Sequence, residues 1–398
     1  MPKSKASQFE FVALMASLMS VVALAIDALL PALDIIGIAV GTNELADNQL
    51  LITMIFVGLG VGPLIFGPLS DSQGRKPIVY IGFVIFIIAS FICVSATSLE
   101  MMVLGRILQG VGLSAPRTIS IAIIRDLYDG DYMARIMSFV TVVFILIPVI
   151  APALGKFILD HYDWQSIFYI QVVFSLLVTL WFWLRQKETL NFERRIAFSH
   201  KIILNGFKEI FQQRRTMAFT LISGFVVGSF LVYLSSSQQI FQEQYGLKEE
   251  FPYIFAGLAI VFGISIFLNG ILVVRFGMEK LVSYALFFFF GVSFLYMILF
   301  YGQPNPSIEI VLIFFALQFF SISFLFGNLR ALSMEPVGHI AGIAAAITGF
   351  ISTLMAVPIS TFIGGYISDT ALPLFLGFLG CSSVSLLILF YVKRYARA

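Results

Sequence analysis

Long apolar stretches alternate with short polar ones along the whole chain. Most of the apolar stretches reach twenty residues or more, which is the length a helix needs to cross roughly 30 Å of hydrocarbon. Only helices satisfy the backbone of such stretches without a closed barrel, and the ten-residue alternation of barrel strands is not visible. The pattern therefore predicts an all-α polytopic membrane protein. The predicted transmembrane helices, twelve in all, lie near residues 9–38, 48–69, 77–97, 99–124, 132–159, 164–185, 216–243, 251–274, 280–300, 308–332, 339–367 and 370–392.

The longest polar stretch, residues 186–215, separates the first six predicted spans from the other six. Basic and apolar residues interleave in it, as in a basic amphipathic helix that lies on a membrane surface. A nucleic-acid-binding patch is the rival interpretation, but a linker tethered to a membrane does not need that function. We predict an N-terminal six-helix bundle over residues 1–185, a cytoplasmic linker over 186–215 and a C-terminal six-helix bundle over 216–398.

The two halves of the chain also resemble each other weakly. Placing Gly67 on Gly270 places Gly74 on Gly277, at an offset of 203 residues in a chain of 398. In each half this repeat lies between the second and third spans. It predicts two pseudo-symmetric six-helix bundles, related by an axis along the membrane normal, with the substrate bound between them.

Charge predicts how the chain is oriented in the bilayer. Charged residues make up only 12% of the sequence, against about a quarter in soluble domains. If the N-terminus is cytoplasmic, only Lys156 and Lys248 of the 24 lysines and arginines fall on the outer side. Because positively charged loops stay inside, we expect both termini to be cytoplasmic.

The sequence offers no metal, cofactor or catalytic site. Cys93 and Cys381 both fall in apolar spans and the three histidines are scattered, so neither a disulfide framework nor a metal site is indicated. No GxxxxGK[ST] run is present for ATP. We therefore expect a chain that is not an enzyme, that binds neither a cofactor nor nucleic acid, and that acts as a monomer in the lipid bilayer.

A few ionisable residues lie inside predicted spans, where they are costly and mark functional sites by default. Asp27 in the first span and Arg106 in the fourth lie at nearly the same depth from the outer helix ends. Burial and the arginine act on the protonation of Asp27 in opposite directions, so a cationic or polar substrate would compete with its proton. The alternative is a permanent structural ion pair. Asp34 is either a further proton-coupling carboxylate or, as we favour, an interfacial residue near the helix end.

Further polar side chains are expected to line a substrate cavity. Together with Asp27 and Arg106, the expected cavity residues are Gln109, Arg117, Tyr233, Gln238 and Gln318. Gln109 lies one turn after Arg106, whereas structure, substrate contact and coupling all stay open for Arg117. No acid lies deep in a span of the second half. Proton coupling is therefore expected to be confined to the first half.

A polar run between the second and third spans is a candidate conformational switch. Its charges can bond helix ends and the inner end of the fourth span, and its glycines permit a tight turn. The predicted switch residues there are Gly67, Asp71, Gly74, Arg75, Lys76, Arg125 and Asp126. Simple anchoring by positive charge is the alternative, although the acid in the same short run makes that explanation less complete.

A second candidate switch lies in the fifth span, which contains Pro148, Pro152 and Gly155. Prolines four residues apart interrupt the backbone hydrogen bonds and let a helix bend, and glycine permits close packing. A bend there would serve a rocking motion. A structural helix that is merely kinked is the alternative.

The motifs resemble those of a known family. The spacing G-x3-D-x2-G-R-K of Gly67–Lys76 resembles the loop between the second and third helices of major facilitator superfamily transporters. The pieces AIDALLPAL, FGPLSDSQGRKP, GRILQGVG with IIRD, and PVIAPALG with DWQSIF are similar to one branch, the twelve-helix Bcr/CflA-type drug:proton antiporters. All of these pieces lie in the first half of the chain.

The resemblance implies roles for individual residues. Asp27 would be the membrane-embedded acid that exchanges proton for drug, and Arg106 with Gln109 would be the arginine motif of the fourth helix. The antiporter motif of the fifth helix would comprise Pro148, Pro152 and Gly155. Two residues depart from the pattern: Asp34 has no assigned counterpart, and Arg117 precedes Ile121, a position where several relatives have a basic residue.

These observations predict proton-coupled efflux, by drug:proton antiport, of small amphipathic toxic compounds across a bacterial inner membrane by alternating access. The rival functions are export of a specific metabolite (a sugar, an amino acid or a siderophore), uptake by symport, and a receptor that does not transport. The proline-rich fifth span is less expected in a symporter. In a receptor, Asp27 and Arg106 at the same depth would have no function beyond packing.

Overall fold

The structure, a computed structural model, describes residues 5–42, 45–128, 130–196 and 199–395. Within these ranges the chain is helical and contains no strand. It divides into two compact units, Met1–His200 and Lys201–Ala398. The chain termini, whose cytoplasmic location was predicted from charge, lie outside the described residues.

The first unit contains six helices of at least 20 residues and two short ones. Single turns of 3₁₀-helix, Leu30–Ala32 and Phe192–Arg194, add to them. In chain order the helices are α1 (Lys5–Asp27), α2 (Leu33–Ala39), α3 (Leu45–Asn48), α4 (Leu50–Gln73), α5 (Arg75–Val94), α6 (Leu99–Leu127), α7 (Gly130–His161) and α8 (Gln165–Arg185).

The second unit likewise contains six long helices, preceded by a shorter one at the boundary between the units. A π-helical turn, Gln239–Gln244, and a 3₁₀ segment, Glu335–Ile340, extend two of them. In chain order the helices are α9 (His200–Gln212), α10 (Arg214–Gln238), α11 (Phe251–Phe276), α12 (Met278–Phe300), α13 (Ile308–Met334), α14 (Ala341–Gly364) and α15 (Leu372–Tyr395).

The predicted class, an all-α polytopic membrane protein, is confirmed. Ten stretches of the described chain have the length and hydropathy of membrane spans. One of the ten, Ile308–Gly364, joins α13 and α14, and α7, with 32 residues, is not among them. The described residues thus contain twelve long helices, whereas the number of membrane crossings stays a prediction.

The first predicted span is interrupted in its middle. Within the apolar stretch Gln8–Ala39, α1 ends at Asp27 and α2 begins only at Leu33. Pro31 lies in the 3₁₀ turn between them. Because proline has no N–H to donate and its ring clashes with the preceding turn, the helix cannot continue through this position. The interruption places Asp27 at the end of a helix.

The polar run Gly67–Lys76 is mostly helical rather than a loop. α4 continues to Gln73 and α5 begins at Arg75, so the turn consists of Gly74 alone. Gly74 has a φ of 107°, a backbone conformation that residues with a Cβ rarely adopt. The polarity of the run led us to place the helix ends several residues further apart.

The predicted linker is divided between the two units. In its first part, the backbone N–H of Ile196 donates to the carbonyl of Asp71 in the first unit, at 3.0 Å. Its second part contains α9, an amphipathic helix that packs on α14 in the second unit. The rings of Phe207 and Phe350 meet edge to face there, with centroids 6.2 Å apart. One apolar face of α9 is therefore covered by protein.

Candidate functional site

Asp27 is a buried carboxylate without a partner. Its side chain is 4% exposed, and no hydrogen bond or ion pair joins it to any residue that the structure describes. A charged carboxylate is costly in such a place unless something compensates its charge. The site can therefore accept either a proton or a positively charged group.

Arg106 is fully buried, but it does not form the expected ion pair with Asp27. Its Nε donates to the carbonyl of Leu51 at 2.6 Å, and its Nη1 donates to the carbonyl of Ala25 at 3.1 Å and to Gln109 at 2.7 Å. The helix end at Asp27 leaves carbonyls of the last turn of α1 without intrahelical donors. A cation is also favourable at a helix C-terminus, so the guanidinium caps the interrupted helix.

Gln109 and Gln318 each form a hydrogen bond between helices, and their part in a substrate cavity stays a prediction. Both are fully buried. The amide of Gln109 donates to Ser90 at 2.8 Å, and that of Gln318 donates to Ser293 at 2.7 Å. The two serines are 203 residues apart, the same offset as the glycine repeat. One hydrogen bond thus recurs in the same place in both units.

The second unit has an aromatic residue where the first has its buried arginine. Phe315 precedes Gln318 by three residues, as Arg106 precedes Gln109. Phe315 is fully buried, and its ring centroid lies 5.1 Å from that of Tyr233. Tyr233 itself is only 2% exposed. The second unit therefore repeats the polar contact without the charge.

Three other predicted site residues have varied surroundings. Asp34 accepts a hydrogen bond from Asn48 at 3.3 Å, near the end of the first span. This contact favours its interfacial role over a coupling role, which stays a prediction. Gln238 is buried and donates to Gln242 at 3.2 Å. Arg117 is half-buried in α6, and its function stays open.

Gln171 was missed at the sequence level. It lies on α8, is 1% exposed, and donates to the carbonyl of Leu24 on α1 at 3.5 Å. Its Oε1 and the Nη2 of Arg106 are buried without a partner among the described residues. A glutamine in the middle of an apolar span was the available signal, but Gln171 belongs to none of the motifs from which Gln109 was identified.

Gly155 brings α7 against the interruption of α1. A Cβ at this position would lie 2.0 Å from the carbonyl oxygen of Ala28, the residue after Asp27. Pro148 and Pro152 lie inside α7, which is continuous from residue 130 to 161. The predicted close packing by Gly155 thus occurs next to the buried acid.

A charged cluster lies where the end of α4, the start of α5 and the end of α6 meet, and we call it the Arg75 cluster (Ser70, Asp71, Arg75, Asp126, Glu188 and Thr189). Arg75 is 3% exposed. Its guanidinium donates to Asp71 at 2.5 Å, to Asp126 at 2.9 Å and to Ser70 at 2.8 Å. One buried arginine therefore joins three helix ends.

Glu188, in the linker, completes this cluster and was not foreseen. Its carboxylate accepts four backbone N–H groups: those of Arg75 and Lys76 at 3.0 Å each, Thr189 at 2.9 Å and Leu190 at 3.0 Å. It thereby caps the N-terminus of α5, where the helix dipole favours a negative charge. Partial burial opposes ionisation of Glu188, but the four amides outweigh it and hold its pKa below the ordinary value.

Three other predicted switch residues, Gly67, Lys76 and Arg125, are not part of the Arg75 cluster. Lys76 lies beside it and donates to the carbonyl of Gln186 at the end of α8, at 2.6 Å. The carbonyl oxygen of Gly67 accepts a hydrogen bond from the hydroxyl of Ser70 at 2.8 Å. Arg125 is exposed, and no hydrogen bond or ion pair joins it to a described residue.

Comparison with known proteins decides the family. The family model of the Major Facilitator Superfamily matches residues 13–360. The chain belongs to the Major Facilitator Superfamily. It is therefore a transporter and not an enzyme.

Similar proteins come from several bacteria. An uncharacterized MFS-type transporter, YdgK, of Bacillus subtilis is 30% identical over 79% of both chains. A bicyclomycin resistance protein homolog of Haemophilus influenzae is 25% identical over 86% of both chains. A multidrug resistance protein, MdtL, of Citrobacter koseri is 27% identical over 93% of both chains. Among solved structures, a D-xylose–proton symporter matches 97% of each chain with a TM-score of 0.71 at 14% identity, which shows the fold alone.

In this transporter the second unit has a charged cluster of its own at one end. Arg215, the second residue of α10, pairs with Glu279 at 2.6 Å and with Glu335 at 2.9 Å. The single-residue turn between α11 and α12 is Gly277, with a φ of 79°. The glycine repeat predicted this turn, but it did not predict the ion pairs because the arginine comes from a different helix.

Replacing Gly155 by alanine is expected to destabilise the transporter. The added Cβ would meet a backbone oxygen that cannot move aside, and overpacking of this kind costs about 1–3 kcal/mol. Gly291→Ala is the matched control, because a Cβ at Gly291 on α12 meets nothing within 4 Å. Thermal unfolding of the detergent-purified variants measures the effect. Equal transition temperatures for the two variants would contradict the tight contact between Gly155 and Ala28.

Replacing Glu188 by glutamine is expected to reveal a pH-dependent stabilisation. Because the folded-state pKa of Glu188 is lowered, its contribution is complete above the ordinary pKa of 4.5 and is lost as the pH falls through the lower folded value. Wild type should therefore unfold at a higher temperature than Glu188→Gln at neutral pH, and the difference should narrow progressively as the pH falls below about 4.5. A gap that is constant with pH would show that the carboxylate charge is not what stabilises the turn.

Proposed function

We propose that this transporter exchanges protons for small amphipathic toxic compounds and exports them by drug:proton antiport. The observation that carries the proposal is Asp27, a buried carboxylate with no partner among the described residues. A carboxylate held in this way is stable only when a proton or a cation compensates its charge. Binding of one therefore displaces the other, which is the minimum requirement for exchange.

In this scheme Arg106 does not act as the counter-ion of Asp27. Its bonds to Ala25, Leu51 and Gln109 fix it at the end of α1. It therefore keeps the helix interruption, and with it the position of Asp27, in place. The unpartnered Nη2 of Arg106 and Oε1 of Gln171 offer one donor and one acceptor near the same helix end. These two groups are suited to the polar atoms of a substrate or to water.

The Arg75 cluster would be the conformational switch of alternating access. Its hydrogen bonds join α4, α5, α6 and the linker residues Glu188 and Thr189. A set of bonds that converges on one arginine can be made or broken as a unit, as bistable elements require. We propose that the cluster is closed in one conformation and opened in the other.

The names of the relatives support the proposed substrate class. Two of them carry the names bicyclomycin resistance protein homolog and multidrug resistance protein, and all three cited are bacterial. We propose that the transporter acts in a bacterial inner membrane, as a monomer with both termini in the cytoplasm. The bacterial relatives support this membrane, and the distribution of lysines and arginines supports the orientation. Its driving force would be the proton gradient and the membrane potential, the latter worth about 2.3 kcal/mol per charge per 100 mV.

Proton movement in sealed inverted vesicles tests the proposal. The lumen is loaded with a pH-sensitive dye and acidified, and bicyclomycin or ethidium, an amphipathic cation, is added outside. Antiport predicts that an added substrate enters and that the luminal pH rises. Vesicles without the transporter give the background.

Two results would reject the proposal. Substrate uptake with no change of luminal pH would indicate a uniporter or another coupling ion. Uptake accompanied by further acidification would indicate symport.

A further inference from the structure

An open groove of about 450 Å³ lies on the surface of the second unit. It is formed where α10 begins and α15 ends, with the last turn of α9 beside it. Six of the eight residues that line it are Phe211, Arg214, Ala218, Leu221, Leu387 and Tyr391. No part of the site described above contributes to this groove.

The walls of the groove are apolar and open to the surroundings. Phe211 is 59% exposed, Leu387 68% and Tyr391 53%, while Ala218, small and 7% exposed, forms part of the floor. α10 and α15 both have the length and hydropathy of membrane spans. In a membrane protein, apolar side chains exposed on such helices face lipid. The chemistry of these walls therefore suits an acyl chain.

The groove has one polar end. Arg214 is the first residue of α10 and is exposed, and it is the one charged side chain among the described residues that line the groove. Leu221 lies seven residues further on, which at 1.5 Å per residue is about 10 Å deeper. The cation of the groove is thus supplied by Arg214.

We infer that this groove is a binding site for an anionic phospholipid. The phosphate would lie on the Arg214 guanidinium, which suits phosphate oxygens because of its planar, forked donors. One acyl chain would run past Ala218 towards Leu221. Tyr391, in the last two turns of α15, would lie at the boundary between headgroups and hydrocarbon, which aromatic side chains favour. A zwitterionic lipid carries its own ammonium group and so gains less from the arginine.

Quenching by brominated lipids tests this site without any transport substrate. A Leu387→Trp reporter is placed in the wall of the groove, where the exposed position tolerates a larger side chain. The purified transporter is reconstituted in mixtures of phosphatidylglycerol and phosphatidylcholine, with brominated chains on one lipid at a time. Quenching of the parent chain, which contains three tryptophans, is subtracted.

The expected result is preferential quenching by phosphatidylglycerol, by about five-fold, since a basic residue near an anionic surface is worth about 1 kcal/mol. Arg214→Ala in the reporter should lower the ratio of quenching by phosphatidylglycerol to quenching by phosphatidylcholine to about one. Arg275→Ala, which removes an exposed arginine outside the groove, should leave it unchanged. Salt should weaken the preference in the unmutated reporter, because the contact with Arg214 is exposed and screened.

Equal quenching by the two lipids in the reporter would overturn the inference. A preference that survives Arg214→Ala would also overturn it, because the selectivity would then come from elsewhere. If Arg214→Ala does not fold, the salt series in the unmutated reporter decides: a preference for phosphatidylglycerol that does not fall with added salt would reject a phosphate on the arginine.

Discussion

Asp27→Asn is expected to abolish proton-driven export while leaving the protein as stable as wild type. Asparagine has the same shape but cannot release or accept the exchanged proton. Because Asp27 has no partner among the described residues, its replacement leaves no group unpaired. Luminal pH in inverted vesicles measures the first effect, with the signal falling to that of vesicles without the transporter. Thermal unfolding in detergent measures the second.

The combination of these two results separates proton coupling from a structural ion pair. If Asp27 were paired with Arg106 in the resting protein, its removal would leave a buried, uncompensated arginine and cost about 3–5 kcal/mol. A large loss of stability with Asp27→Asn would therefore contradict an Asp27 side chain that has no partner. Full proton-coupled transport by the variant would contradict the coupling role. Asp34→Asn is the matched control, and it should retain coupling because Asp34 contacts Asn48 near the end of the first span.

Arg75→Ala is expected to produce the largest loss of stability. The substitution removes the donor shared by Asp71, Asp126 and Ser70 and leaves their acceptors behind. Removing one partner of a buried ion pair costs about 3–5 kcal/mol. The thermal transition of the purified transporter should fall accordingly, and export should fall with it because the cluster is the proposed switch.

The chain contains a close control for this variant. Arg125 precedes Asp126 at the same helix end, is exposed, and has no hydrogen bond or ion pair with a described residue. Arg125→Ala removes the same charge but should shift the transition little, since exposed charges contribute about 0–1 kcal/mol. Similar losses in the two variants would mean that positive charge at these helix ends, rather than the hydrogen bonds of Arg75, determines the stability.

Features that depend on local pattern could be predicted from the sequence. Apolar stretches of span length gave the membrane class, and the paired glycines gave the turns at Gly74 and Gly277. Asp71, Arg75 and Asp126 were named as one switch on the basis of charge and position, and the structure brings them together. Asp27 was singled out because acids are rare within spans, and it is buried.

Features that depend on the path of the backbone could not be predicted. Counting residues from the predicted outer helix ends placed Arg106 and Asp27 at the same depth in the membrane. That count assumed that the first helix is uninterrupted. The carbonyl of Ala25, at the end of α1, competes for the guanidinium, and no sequence pattern reports that competition. Glu188 was overlooked for a related reason. A carboxylate in a polar linker is ordinary in sequence, and its role arises only where the chain passes the start of α5.

The solitary carboxylate of the first unit has an electrical consequence. Asp27 is the only acid buried among the residues that the structure describes, and one carboxylate carries at most one proton. Exchange of that proton for a neutral molecule would move one net charge per cycle and produce a current. Exchange for a monovalent cation would move none. Export of a neutral compound would then depend on the membrane potential as well as on the pH difference. Export of a monovalent cation would depend only on the pH difference across the membrane.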